Sequence, residues 1–479
     1  MTDVPVPPPR RSALDFLAAV VMLAFLVGGA GLRFWLARRG YHNDEIGMFD
    51  PAGVPSILFS TELASNPPLL QILFAAFPNE WVLPAGRVAS AAMGSLGIAY
   101  SAWMAWRRGG PWAAAVTAGG LALAIPHLTD TTMFRAYAWL ALLVPWLADV
   151  TAAVLTRDER PTSRQVLAIA VLGGLCSWIH YLTAPFVLLA FLLVLWRHRS
   201  AAIAAAFGVT LLTWAPFFRW FYLWSTSRPA VEGMTGTTRL ASLDMATNQE
   251  AIVPIAVIVL STIAALGVSW RREPVTRVWL VAASLAWLML VGMSTFMLVR
   301  SPIICVVLSL WAPAMASVAP GRWFAWLFRA VALWVLWLPP WQHWEMVAEG
   351  GIWLGTARDL NAPKAMVARL DEIVAKVGTE CVYTEDMMIA DLIRYDVDGL
   401  LTEPVKTCGG CASDRCSVVK GVPFVWSSQP IPGEAWHLWD RRFDRVPPDT
   451  AHGCVEAIRD EHFLLSRCPA GLPAGNRQD

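Results

Sequence analysis

Acidic side chains are scarce in the first two-thirds of this 479-residue chain, and Asp44 and Glu45 stand together early in it, beside Tyr41, His42 and Asn43. A general base needs a carboxylate within hydrogen-bond reach of a hydroxyl, in a place shielded enough to tune its pKa. Two solvated loop acids are the competing reading of such a pair. Further polar groups recur where apolar runs end: Asn66-Pro67-Pro68, His127 with Asp130, Arg135-x-Tyr137, His180-Tyr181 and Arg300. Arg135 opens an apolar run. A cation there faces the positive end of the helix dipole and is favourable only with an anion nearby, so guanidinium and free N–H groups together suit a phosphate. Arg300 precedes Ser301-Pro302, a normal helix start. For both arginines the alternative is snorkelling to lipid headgroups. His180-Tyr181 reads equally as a ligand-binding pair or as part of an interfacial aromatic belt. No His-x-x-x-His spacing or Asp-x-Asp pair points to a metal in this region; no cofactor is required, and a divalent cation is not indicated.

The elements that must position these groups are membrane helices. Residues of the set AVILMFWYC make up 56% of the chain, charged residues are 15% against roughly 25% in soluble domains, and mean hydropathy is +0.49. A soluble globule cannot hide that much apolar surface. Runs of bilayer-spanning length cover 16–36, 88–106, 112–128, 134–155, 164–180, 181–196, 202–222, 251–270, 278–299, 303–319 and 323–341, which makes eleven expected transmembrane helices. The first is too long to be a cleaved signal peptide and reads as an anchor. Ionisable groups near the middle of the spans are nearly absent, since Arg33, Arg87, Asp149 and Arg219 lie within reach of an interface and Arg329 can snorkel, a pattern that argues against a proton relay or an ion-coupled transporter.

Arginines gather on one side: Arg10 and Arg11, Arg107 and Arg108, Arg157, Arg160 and Arg164, Arg197 and Arg199, Arg271, Arg272 and Arg277, and Arg322. That side is cytoplasmic by the positive-inside rule. The N-terminus is then cytoplasmic, and an odd number of spans carries the tail outside. All four lysines and six of the eight cysteines (Cys381, Cys408, Cys411, Cys416, Cys454, Cys468) lie in that tail, where an even count suggests disulfides in an oxidising compartment. The expected domains are therefore 1–341, a transmembrane catalytic domain, and 342–479, a soluble disulfide-containing α/β domain. In the first, the outer loop 37–87 carries an interfacial helix at 67–77. In the tail, helices are expected over 362–376 and 386–395, and strands over 381–384, 423–426 and 462–466. Basic tracts with interleaved aromatics are missing, which excludes nucleic acid as a partner.

The order of these motifs resembles the polytopic GT-C glycosyltransferases that use polyprenyl-phosphate sugars, of the protein O-mannosyltransferase and aminoarabinose-transferase type (glycosyltransferase family 39-like), over roughly residues 15–345. Asn43-Asp44-Glu45 resembles the family's Asp-Glu motif in the first outer loop. Ser65-Asn66-Pro67-Pro68-Leu69 resembles its His-Pro-Pro-Leu segment, with Asn66 where His is usual. Arg135-Ala136-Tyr137 and His180-Tyr181 are similar to its Arg-x-Tyr and His-Tyr pairs. The resemblance implies Asp44 as general base and Glu45 as the group orienting acceptor or sugar. Arg135 and Arg300 would hold the departing lipid phosphate, with Asn66, Tyr137, His180 and Tyr181 binding substrate. It also implies single displacement with inversion at the outer face of a bacterial inner membrane, the acceptor hydroxyl belonging to a lipid, a polysaccharide or a protein. Two other readings stand beside it. A glycan ligase or polymerase of the same fold would use a polyprenyl-diphosphate donor and could recruit Arg219, Arg228 and Arg239. A transporter or flippase would call for intramembrane polar groups and internal repeats.

Overall fold

The structure, a computed structural model, describes residues 13–38, 69–180, 183–215, 369–384, 416–419, 422–426, 434–440, 453–460 and 463–469. Asp44, Glu45, Asn66, Tyr181, Arg300, Cys408 and Cys411 fall outside these residues. So do the four spans expected beyond residue 250 and the helix expected over 386–395. The chain divides into two compact units, one holding residues 1–37, 54–73 and 86–347, the other 38–53, 74–85 and 348–479.

The first unit is helical, built from α1 (Ala13–Leu36), α2 (Leu69–Phe74), α3 (Asn79–Leu123), α4 (Ile125–Asp130), α5 (Ala136–Leu155), α6 (Ser163–Ile179), α7 (Ala184–His198) and α8 (Ala201–Thr213), except that Phe74 and the start of α3, residues 79–85, fall in the second. Among the described residues, Ala13–Leu36, Pro84–Leu123 and Ala136–Leu155 are long and apolar enough to cross a membrane, and α6, α7 and α8 are shorter apolar helices. This is a polytopic α-helical membrane protein. The break expected between residues 106 and 112 sits at Gly110, whose φ of 75° and ψ of −170° end one helix and start another inside α3. Such backbone angles are readily adopted only by glycine. The expected span 134–155 starts two residues later in the structure, because Arg135 is extended (φ −140°, ψ 160°) and serves as the N-cap of α5. Helix α6 starts on a capping box: the Thr162 hydroxyl accepts from the Gln165 N–H, and the Gln165 side chain accepts from the Thr162 N–H.

Large apolar side chains point outward. Phe16, Leu23 and Val27 of α1, Trp196 of α7 and Leu212 of α8 are exposed, whereas the face that α1 buries consists of Ala18, Gly29, Arg33 and Leu36. Exposed apolar surface on this scale suits lipid, not water.

In the second unit, α9 (Leu370–Val377) precedes β1 (Val382–Thr384), β2 (Cys416–Val419), β3 (Val422–Trp426), β4 (Ala435–Asp440), β5 (Val455–Arg459) and β6 (Phe463–Cys468). Strands run in the order β2-β3-β1-β4-β6-β5, parallel where β1 meets β3 and β4 and antiparallel elsewhere. Leu370, Ile373 and Val377 sit one helical turn apart and pack on Val382, Phe424, Leu438, Phe463 and Leu465. Gly378 ends α9 at φ 68°. Cys454 and Cys468 form a disulfide that joins the start of β5 to the end of β6, and Cys381 is also disulfide-bonded. Cys176, in α6, is a free, buried thiol.

Candidate active site

At one end of the helical unit the structure gathers polar side chains from α1, α4, α5 and the end of α6. Arg33 is their hub. Expected within reach of an interface, it lies in the last turn of α1 and is completely buried. All five of its N–H groups have acceptors. Nε donates to Thr131 Oγ1 (2.8 Å), Nη1 to the carbonyls of Gly29 (2.9 Å) and Ala122 (3.3 Å), and Nη2 to the Leu121 carbonyl (2.8 Å) and His127 Nδ1 (2.7 Å). Leu121 and Ala122 lie in the last turn of α3, whose carbonyls have no helical partner. A guanidinium there satisfies them and meets the negative end of the helix dipole. Solvation that burial removes is thus replaced group by group, and the arginine ties α1 to α3 and α4.

Arginine can only donate, so His127 Nδ1 must accept, and the proton of the neutral ring sits on Nε2. That Nε2 is buried and has no hydrogen-bond partner. Thr131 completes the corner, donating from its hydroxyl to the His127 carbonyl at 2.6 Å while accepting from Arg33.

Arg135 is buried, and its guanidinium lies 5.7 Å from the Tyr137 ring centroid; that ring lies 5.1 Å from His180. Tyr137 and His180 are themselves buried. His180 caps the C-terminus of α6, its N–H donating to the Cys176 carbonyl (3.0 Å) and its own carbonyl accepting from the Thr183 hydroxyl (2.8 Å). Three of the expected substrate-binding residues, from α5 and the α6–α7 connection, therefore form one ring-and-guanidinium cluster. Asp130, in the connection between two spans, is buried with Oδ2 unpartnered. Burial pushes its carboxyl well above the usual range, and the charge of Arg135 pulls it back only in part.

Close approach of this corner to α3 depends on small residues. A Cβ at Gly86 would stand 2.4 Å from the Phe134 ring, one at Gly94 would stand 2.3 Å from Thr131 Cβ, and one at Gly97 would stand 2.7 Å from the Ala141 carbonyl. Ser90, one turn from both Gly86 and Gly94, is buried with an unpartnered hydroxyl. Arg33 and Thr131 were absent from the sequence-based site; the Gly86-x3-Ser90-x3-Gly94 spacing, a close-packing signature in membrane helices, was the available signal for this interface. Arg87 donates to the Ala37 carbonyl at 3.4 Å. At the opposite end of α5, Asp149 accepts from Arg108 (2.8 Å) and from the Tyr100 hydroxyl (3.2 Å). Among the described residues, no three His, Cys, Asp or Glu side chains converge as a metal site.

No family model and no curated protein matches the chain. The crystal structure of ArnT from Cupriavidus metallidurans bound to undecaprenyl phosphate is similar to it, with 15% identity and a TM-score of 0.46 over 95% of this chain and 98% of that one.

Proposed function

We propose that this chain is an integral-membrane glycosyltransferase that moves a single sugar from a polyprenyl-phosphate donor to a hydroxyl acceptor at the outer membrane face, with inversion. The observation that carries the reading is the buried Arg135 at the N-terminus of α5, set against Tyr137 and His180. A cation held where the helix dipole is already positive makes a strong anion site, and aromatic groups beside it suit a sugar or isoprenoid. In the reaction, the acceptor oxygen attacks the anomeric carbon as Asp44 takes its proton. The bond from that carbon to the phosphate oxygen breaks on the opposite face. Arg135, with Arg300, stabilises the charge that develops on the departing lipid phosphate. Glu45 orients the acceptor or the sugar, and Asn66 and Tyr181 contribute further substrate contacts. The tail, 342–479, is read as a disulfide-bonded domain outside the cell.

The test compares wild type with Asp44→Asn in reconstituted membranes supplied with radiolabelled polyprenyl-phosphate sugars and cell-envelope acceptors. Loss of the base is expected to lower turnover at least roughly a hundredfold with donor binding intact. Equal transfer by the variant removes Asp44 from the mechanism, and the labelled product identifies the acceptor class.

A further inference from the structure

Among the buried polar groups that the glycosyltransferase reading leaves unused, two lie together. His127 Nε2 and Asp130 Oδ2 belong to one short helix, three residues apart, and neither has a hydrogen-bond partner. Side chains at that spacing are neighbours, with Cβ atoms about 5–6 Å apart. Both residues are more than nine-tenths buried. Burying a polar group without a partner is costly, so an unpartnered pair in one place points to a ligand that supplies the missing bonds.

The chemistry of that ligand follows from the pair. Arg33 occupies Nδ1 of His127, which fixes the proton on Nε2 and directs that N–H away from the arginine, on the far side of the ring. Arg33 is itself immobile, since its other four N–H groups are bound to Thr131 and to the carbonyls of Gly29, Leu121 and Ala122. His127 is thereby a fixed donor, and Asp130 offers a carboxyl oxygen one turn away. A phosphate oxygen can only accept, so it suits the histidine N–H but meets Asp130 only when that carboxyl carries its proton, whereas a hydroxyl suits Asp130 in either state. A hydroxyl suits both, because it accepts from one group and donates to the other.

We propose that His127 and Asp130 form a subsite for one hydroxyl of the donor sugar, with Arg33 as the residue that positions His127. This rests on the reading of the chain as a polyprenyl-phosphate-sugar transferase. It makes His127 and Asp130 determinants of sugar choice, because a site built around a substrate hydroxyl rejects the analogue that lacks it.

The experiment is a binding titration of the full chain in nanodiscs, using sugar-free polyprenyl phosphate and a panel of polyprenyl-phosphate sugars that includes single-deoxy analogues. Transfer to envelope acceptors is measured in parallel. Wild type is expected to bind one sugar-lipid at least about tenfold more tightly than sugar-free lipid, and to lose that gain with one deoxy analogue. His127→Phe and Asp130→Leu are expected to abolish the preference while leaving affinity for the sugar-free lipid unchanged. His127→Gln, whose amide can accept from Arg33 and still donate, is expected to restore it. Thr131→Val is the control for a merely structural role: it also strips Arg33 of an acceptor but leaves Nε2 in place, so the preference is expected to survive. The proposal is overturned if His127→Phe keeps the wild-type preference, if wild type shows none, or if Thr131→Val abolishes it equally. Transfer by wild type with no role for His127 leaves the transferase reading standing without this subsite. Sugar-dependent binding with no transfer to any acceptor sinks the transferase reading and retains the subsite.

Discussion

The two units of this chain solve opposite solvation problems. In the helical unit the polar groups are inside: Arg33, His127, Thr131, Asp130, Arg135 and His180 are all buried, while Phe16, Val27, Trp196 and Leu212 face outward. In the sheet unit the apolar groups are inside, with Val382, Phe424, Phe463 and Leu465 at 0% exposure, and the charges pair at the surface: Arg369 with Glu372 and Asp460, Arg459 with Glu456, and Arg467 with Glu380 and Glu434. One backbone chemistry thus folds against two solvents. In water, burial of carbon drives assembly. In lipid that drive is absent between helices, and close packing together with internal hydrogen bonds must specify the fold. The glycine face of α3 and the arginine hub are those two devices.

The contrast is tested most severely by removing an arginine from each unit. Arg33→Met strands the carbonyls of Leu121 and Ala122 and the Nδ1 of His127, which together should cost about 3–5 kcal/mol, the range for breaking a buried charged network. Arg459→Met removes one partner of a pair whose side chains are 55% and 37% exposed, and such pairs contribute under about 1 kcal/mol. Thermal unfolding of both variants in nanodiscs measures the difference. Equal destabilisation would mean that Arg33 is not the tie its hydrogen bonds describe.

How much of this was legible in the sequence differs between the units for the same reason. Helix α9 was readable because its core contacts, Leu370, Ile373 and Val377, follow the helical period within eight residues. Strands β1, β3 and β6 were readable from short apolar runs. Strand β4 was not: Ala-Trp-His-Leu-Trp-Asp lacks β-branched residues, and its burial comes from lying between β1 and β6, which is a non-local fact. The bulged edge strand β5, Val-Glu-Ala-Ile-Arg, gave little signal either. In the helical unit, span existence came directly from hydropathy, and the motif positions of Arg135, Tyr137 and His180 led to residues that do cluster. The hub role of Arg33 was not legible, because nothing local to a single charge near a helix end names its partners. Its role is decided by carbonyls 88 residues away.

A second, smaller test uses two valines of nearly equal exposure: Val27 in the middle of α1 at 65% and Val455 on β5 at 68%. Replacing each by aspartate asks what solvent lies outside. At the centre of a spanning helix the change should cost about 2.5–3.5 kcal/mol of insertion free energy. On an exposed edge strand it should cost under about 1 kcal/mol. Membrane-insertion efficiency for Val27→Asp and thermal stability for Val455→Asp provide the readouts. Tolerance of aspartate at residue 27 would break the comparison at its root.

The smallest effect at neutral pH belongs to His437, and it probes whether the sheet unit is as dry inside as its apolar side chains suggest. His437 on β4 pairs with Tyr383 on β1 and Ser466 on β6, a buried row across the face opposite Phe424, Leu438 and Phe463. Burial lowers its pKa from the ordinary 6.5 to about 4. The unfolded chain then binds a proton that the folded chain refuses between pH 6.5 and about 4, so stability is intact above that window and falls as the pH drops through it. Hydrogen exchange at the β4 amides of the full chain, measured at pH 7, 5 and 4, should show protection lower at pH 5 than at pH 7 and lower again at pH 4. His437→Gln should flatten that dependence, because glutamine carries no proton to refuse. A profile unchanged by the substitution would assign the acid sensitivity to the surface ion pairs instead, and would mean that water reaches this face of the sheet.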